Sequence, residues 1–108
     1  MASFEDITKI FGFNLEKKYC IEILFSISDN LKFNNCWMGK MTDKKTNQDI
    51  YWFGLTKDGK NAYDYESFEK MSEAKVFDEK SLKEIWGNVE LDSIDGCDPE
   101  ERIACYIK

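Results

Sequence analysis

The densest chemistry in the chain is the stretch Asp92-Ser93-Ile94-Asp95-Gly96-Cys97-Asp98-Pro99-Glu100-Glu101, which places five carboxylates within ten residues and no basic residue among them. Oxygen-rich loops suit Ca²⁺ or Mg²⁺, but a calcium loop needs acids at alternate positions before its glycine and a glutamate six residues after it. Ser93 and Ile94 break the alternation, and the position six after Gly96 is Arg102. No metal site is expected. Asp98, Glu100 and Glu101 are accounted for by a helix start, where carboxylates cap free N–H groups and oppose the positive end of the helix dipole. What remains is an acidic surface for a partner, and Asp92, Asp95, Asp98, Glu100 and Glu101 are its candidate residues.

A second group is aromatic: Trp37, Tyr51, Trp52, Phe53, Tyr63 and Tyr65. Core packing explains most such clusters. An uncovered face would instead make them a contact patch, so Trp37 and Trp52 join the candidate partner-binding residues. Stacking of single-stranded nucleic acid would require bases beside the rings, and only Lys40, Lys44 and Lys45 lie near. Cys97 precedes a helix start, which lowers a thiol pKa, but the surrounding carboxylates oppose thiolate formation.

The missing residue types exclude more than the present ones suggest. With no histidine, Ser–His and Cys–His nucleophiles, imidazole acid–base chemistry and histidine-containing zinc sites are ruled out. Cysteines at 20, 36, 97 and 105 form no C-x-x-C pair, and neither glycine-rich phosphate-binding motif occurs. No catalytic residue and no cofactor is expected.

The elements that position these residues follow from periodicity. Ser3 caps a first helix with Phe4, Ile7 and Phe11 on one face, ending at Gly12. From Tyr19 the period becomes two, with Tyr19, Ile21, Ile23, Phe25 and Ile27 on one side of a strand. A second strand is predicted over Phe33–Met41, a loop over Thr42–Gln48 and a third strand over Asp49–Leu55. Both faces of that third strand are apolar, which predicts a central strand covered on both sides. Asp58-Gly59 signals a hairpin returning through Lys60–Asp64. Asp64 is predicted to cap a helix bearing Phe68 and Met71, with Val76 and Phe77 packing back on the sheet. Asp78 or Ser81 caps the next helix, whose face is Leu82, Ile85 and Trp86 and which Gly87 ends. Val89–Leu91 reads as a short strand. Asp98 at the N-cap and Pro99 at N1 open the last helix, with Ile103, Tyr106 and Ile107 on its apolar side.

The expected fold is therefore α+β: an antiparallel sheet of three to five strands with helices packed on it, in the order α-ββββ-αα-β-α. The 108 residues are read as a single domain, 1–108. No apolar run approaches the roughly 20 residues of a membrane span, and no signal peptide or lipidation motif is read, so a cytoplasmic location without membrane contact is expected. All four cysteines are expected to be reduced residues of the core.

Net charge is −6 and lopsided. Residues 1–61 carry nine lysines against eight acids, whereas residues 62–108 carry six basic residues against thirteen acids. An acidic balance opposes binding to phosphate backbones and favours basic partners. The reading is a small acidic interaction protein that inhibits, neutralises or escorts a basic macromolecule, a protein rather than a nucleic acid, through its C-terminal half. Toxin-neutralising immunity proteins share this general character of size, charge and missing catalytic motifs, which is an association and nothing closer. Two alternatives stand beside it: a small-ligand-binding domain or minor enzyme using carboxylates and tyrosines around an aromatic pocket, and an accessory or regulatory subunit of a larger complex. Oligomeric state is open.

Overall fold

A computed structural model describes residues 2–12, 20–56 and 60–107. The elements run α1 (Phe4–Phe11), β1 (Ile21–Ile27), a 3₁₀ turn (Leu31–Phe33), β2 (Cys36–Thr42), β3 (Asp49–Gly54), β4 (Ala62–Tyr65), α2 (Phe68–Glu73), α3 (Leu82–Ile85), a 3₁₀ turn (Trp86–Asn88), β5 (Val89–Ile94) and α4 (Pro99–Tyr106). All strand pairs are antiparallel, and the sheet order is β4-β3-β2-β1-β5. This is the α+β arrangement that the periodicity predicts.

One face of the sheet makes the core. Ile21, Ile23, Phe25 and Ile27 of β1, Cys36 and Met38 of β2 and Phe53 of β3 are buried against Ile7, Ile10 and Phe11 of α1, Met71 of α2 and Leu82 of α3. Aromatic contacts join the layers: Phe11 stacks on Phe68 at 4.8 Å between centroids, and Phe77 meets Phe25, Phe33 and Phe53 edge-on. Trp86 donates its indole N–H to the Ala2 carbonyl at 3.1 Å, which satisfies the polar atom of an otherwise apolar ring.

Lys40 is the charged residue of this interior, 3% exposed. Its ammonium donates to the carbonyl of Phe11 at 2.9 Å, lies 3.6 Å from the Asp49 carboxylate and sits 5.2 Å from the centre of the Tyr51 ring. A cation at the last carbonyls of α1 is favoured by the helix dipole and satisfies an otherwise orphan acceptor. Lys40 thus ties α1 to the sheet.

Helix starts are the best-read features. Ser3 and Ser81 form reciprocal capping boxes with Asp6 and Glu84, and Asp98 accepts from the Glu101 N–H with Pro99 beside it. Several expectations need correction. β2 begins at Cys36, not Phe33, because Asn30 caps a 3₁₀ turn that uses Leu31–Phe33. Ser67, not Asp64, caps α2, and Asp64 belongs to β4. Gly87 lies within the 3₁₀ turn that prolongs α3. β5 continues to Ile94, past the predicted Leu91, so Asp92 and Ser93 are strand residues. The strand ends where Asp95 and Gly96, with φ of 53° and 76°, form a tight turn bridged by Ile94 and Cys97. Two central residues at positive φ are what a type I′ turn requires, and Asp-Gly is its commonest sequence. The other Asp-Gly, at 58–59, and the predicted strand start at Tyr19 lie outside the described residues.

Candidate partner-binding face

The strand alternation that buries the core turns a second set of residues to the opposite face. These are Glu22, Leu24 and Ser26 of β1, Trp37, Gly39 and Met41 of β2, and Ile50, Trp52 and Gly54 of β3. Ala62 and Asp64 of β4 and Glu90 and Ser93 of β5 complete the paired set. The buried residues of α1, α2 and α3 belong to the core on the other side, and α4 lies against β5 and α1. Among the described residues no helix covers this face. Trp37 is 39% and Met41 42% exposed, while Leu24, Ile50 and Trp52 are half-buried. The expectation that β3 is covered on both sides is therefore corrected. β3 lies next to the edge strand, and its outward apolar residues shelter one another instead of meeting a second layer.

Two cross-strand pairs shape the centre. Trp37 lies opposite Gly54, and Trp52 lies opposite Gly39. Each indole thus has a neighbour with no side chain. Around them stand the charged residues of the face. Asp64 is directly opposite Trp52, Glu22 is opposite Gly39, and Glu90 and Asp92 lie on β5. Among the described residues no lysine or arginine occupies an outward strand position. Asp92 stands beside β1: the Ser26 hydroxyl lies 3.2 Å from its carboxylate and 3.0 Å from the Asn34 side-chain oxygen, and accepts from the Asn35 N–H at 3.1 Å.

The acidic run is divided by the fold. Asp92 shares the open face with Trp37 and Trp52, which the sequence offered as separate candidates. Asp95 does not. Its carboxylate accepts from the Glu22 N–H at 2.9 Å, the Arg102 Nε–H at 3.0 Å and the Tyr106 hydroxyl at 2.7 Å, with 14% of its side chain exposed. Asp95 therefore fastens α4 to β1, with little of its side chain left at the surface. The same contacts push the Tyr106 phenol up to about 12, through burial first and then through its hydrogen bond to Asp95. They also hold the Arg102 guanidinium above its ordinary pKa, chiefly through the bond to Asp95. Asp98 caps α4, and Glu100 and Glu101 are exposed on that helix.

Compared with protein-family models, curated proteins and solved structures, the chain matches none.

A wide groove of about 680 Å³ at one end of β3 and β4 holds Asp49, Asp64, Glu66, Tyr51 and Tyr65, where the carboxylate-and-tyrosine alternative would act. Asp49 is already engaged there by the Thr42 hydroxyl at 2.9 Å and by Lys40. The Tyr65 phenol is raised above its ordinary pKa by burial and by Tyr63. Among the described residues no cluster of three metal-ligating side chains occurs, and no helix is long and apolar enough to cross a membrane.

The cysteines also separate. Cys36 is fully buried, with its thiol 3.5 Å from the Leu55 carbonyl and burial pushing its pKa up to about 11. Cys20, Cys97 and Cys105 are exposed. All four are free, but only Cys36 is the core residue that was expected.

Proposed function

We propose that this protein is a binding protein that docks a basic partner protein on the open face of its sheet, as an inhibitor or escort of that partner. The observation that supports this most is the composition of the face. Leu24, Trp37, Met41, Ile50 and Trp52 have no helix of the described residues over them, and they are framed by Glu22, Asp64, Glu90 and Asp92, with no basic residue among the described outward strand positions. Aromatic residues at the centre and charges at the rim are the anatomy of a protein interface, and tryptophan is prominent among residues that carry binding energy. The acids repel nucleic-acid phosphates and speed the approach of a basic surface. Glu100 and Glu101 strengthen the same field from α4. An accessory subunit would use the same face, and its captured partner would be a component of a larger assembly.

The test uses the full chain, immobilised, with lysate of the source cell at low and physiological ionic strength. The captured protein is identified by mass and its association rate measured after purification. A basic protein is expected whose association slows with salt, since screening acts over about 8–10 Å. Its capture is lost with Trp37→Ala and weakened by Glu22→Lys with Glu90→Lys. It persists with Glu5→Lys and Glu73→Lys on the helices. Capture that is indifferent to the Trp37 and Glu22 variants overturns the reading.

A further inference from the structure

We propose that the groove between Trp37 and Trp52 is a pocket for one arginine side chain of the basic partner, an inference that rests on the partner reading above and sharpens it. The two Trp–Gly pairs are not equivalent. A methyl group built at Gly39 would meet two Trp52 ring atoms at 2.5 and 2.7 Å, so this indole lies across Gly39 and fills the space there. A methyl group at Gly54 would have nothing nearer than the Trp37 Cβ and the Trp52 Cζ3, both at 3.9 Å. The floor over Gly54 is therefore open between the two tryptophans. It widens into a groove of about 490 Å³ whose walls include Leu24 and both indoles and whose polar groups come from Asn35 and Thr56.

The chemistry of the groove favours a flat cation. Indole faces attract a cation through the ring quadrupole. A guanidinium stacks on such faces and offers five fixed N–H donors, whereas an ammonium is compact and strongly hydrated. None of the residues lining the groove is charged, and acids of the same face stand beside its walls. Asp64 is paired across from Trp52. The Ser26 hydroxyl beside the Asp92 carboxylate accepts from the Asn35 N–H at the groove's edge. An apolar side chain would satisfy the indoles and leave the acids without a role.

The probes are three amidated, acetylated peptides, Gly-Arg-Gly, Gly-Lys-Gly and Gly-citrulline-Gly, titrated into the full protein. Citrulline keeps the shape of arginine and removes its charge. The readout is the indole N–H resonance of each tryptophan, and Trp86, which is buried and bonded to the Ala2 carbonyl, is the internal control. The arginine peptide is expected to shift Trp37 and Trp52 saturably and leave Trp86 still. The citrulline peptide binds at least about fivefold more weakly, the upper end of an exposed cation–π contact, and the lysine peptide falls between. Gly54→Leu fills the floor and abolishes the shifts, and its unchanged Trp86 resonance shows that the fold survives. Should that variant not fold, Trp37→Ala gives the same loss. Equal shifts from arginine and citrulline peptides, or no shift at Trp37 and Trp52, overturn the cation pocket. Equal shifts from arginine and lysine overturn the guanidinium assignment. Either result leaves face-dependent capture of a basic protein standing, so the two readings fail separately.

Discussion

Replacing Gly39 by alanine should be among the most damaging single-methyl additions in this protein, and the structure says why. The new Cβ would lie 2.5 and 2.7 Å from two atoms of the Trp52 ring. Carbon atoms pack at about 3.5–4.0 Å, so the indole would have to retreat by roughly 1 Å. Trp52 can do so, because no helix of the described residues covers its outer side. The same methyl also falls within the envelope of the Ile21 carbonyl oxygen, and that group is backbone in the β1–β2 ladder, where Ile21 pairs with Lys40. It cannot move without shifting β1. Overpacking costs typically about 1–3 kcal/mol and sometimes more. A backbone clash places Gly39→Ala at about 3 kcal/mol, a large part of the roughly 5–15 kcal/mol that holds a domain together. Equilibrium urea unfolding measures it. With a slope of about 1–3 kcal/mol per molar urea, the midpoint should fall by roughly 1–3 M. Gly54→Ala is the control: its methyl meets nothing nearer than 3.9 Å. It should be neutral or stabilising by up to about 1 kcal/mol, since alanine has less unfolded-state freedom to lose. Adding Trp52→Ala to Gly39→Ala relieves the ring contact and leaves the carbonyl clash. Equal midpoints for Gly39→Ala and Gly54→Ala would refute the reasoning.

Three further outcomes are expected. Asp95→Ala should lower stability by about 1.5–3 kcal/mol, because it removes an acceptor of two side-chain donors and one backbone N–H, whereas Asp92→Ala on the open face should change it by less than about 0.5 kcal/mol; similar denaturant midpoints for the two would show that Asp95 is not the fastening of α4. The Tyr106 phenol has a folded pKa of about 12 against an ordinary 10.0. The folded state keeps this proton where the unfolded state loses it, so the contribution is complete below pH 10 and disappears between pH 10 and 12. Ultraviolet titration should show a last tyrosine step near pH 12 that Tyr106→Phe removes, and a profile unchanged by that variant would count against the contact. Alkylation of the native protein without reductant should modify Cys20, Cys97 and Cys105 and spare Cys36, which reacts once the chain is unfolded; a total of two modified thiols after unfolding would reveal a disulfide.

Much of the fold was legible because local rules set it. The alternation through Ile21, Ile23, Phe25 and Ile27 names one face of β1. The hydroxyls of Ser3 and Ser81 and the carboxylate of Asp98 mark helix starts, since each satisfies an N–H within its own first turn. The second Asp-Gly, at 95–96, carried the same hairpin signal as Asp58-Gly59 and would have ended β5 correctly. The capping of α2 was misread because Asp64 and Ser67 are both good caps, and the choice fell to whichever residue β4 did not need.

The candidate face was only half legible. Alternation places Trp52 and Ile50 on one side of β3 and Tyr51 and Phe53 on the other, because successive side chains of a strand point oppositely. Composition gives the charge of the C-terminal half and rules out histidine chemistry. Which side of β3 the helices cover depends on long-range packing, since a strand apolar on both faces has the same pattern whether one layer or two pack on it. Tertiary structure also separated Asp92 from Asp95, three positions apart. The turn at Asp95 and Gly96 brings the second carboxylate to the N–H of Glu22 and to Arg102 and Tyr106 of α4, while the first stays on the strand beside Ser26. Periodicity fixes which residues point together; the contacts between distant segments decide which of them water still reaches.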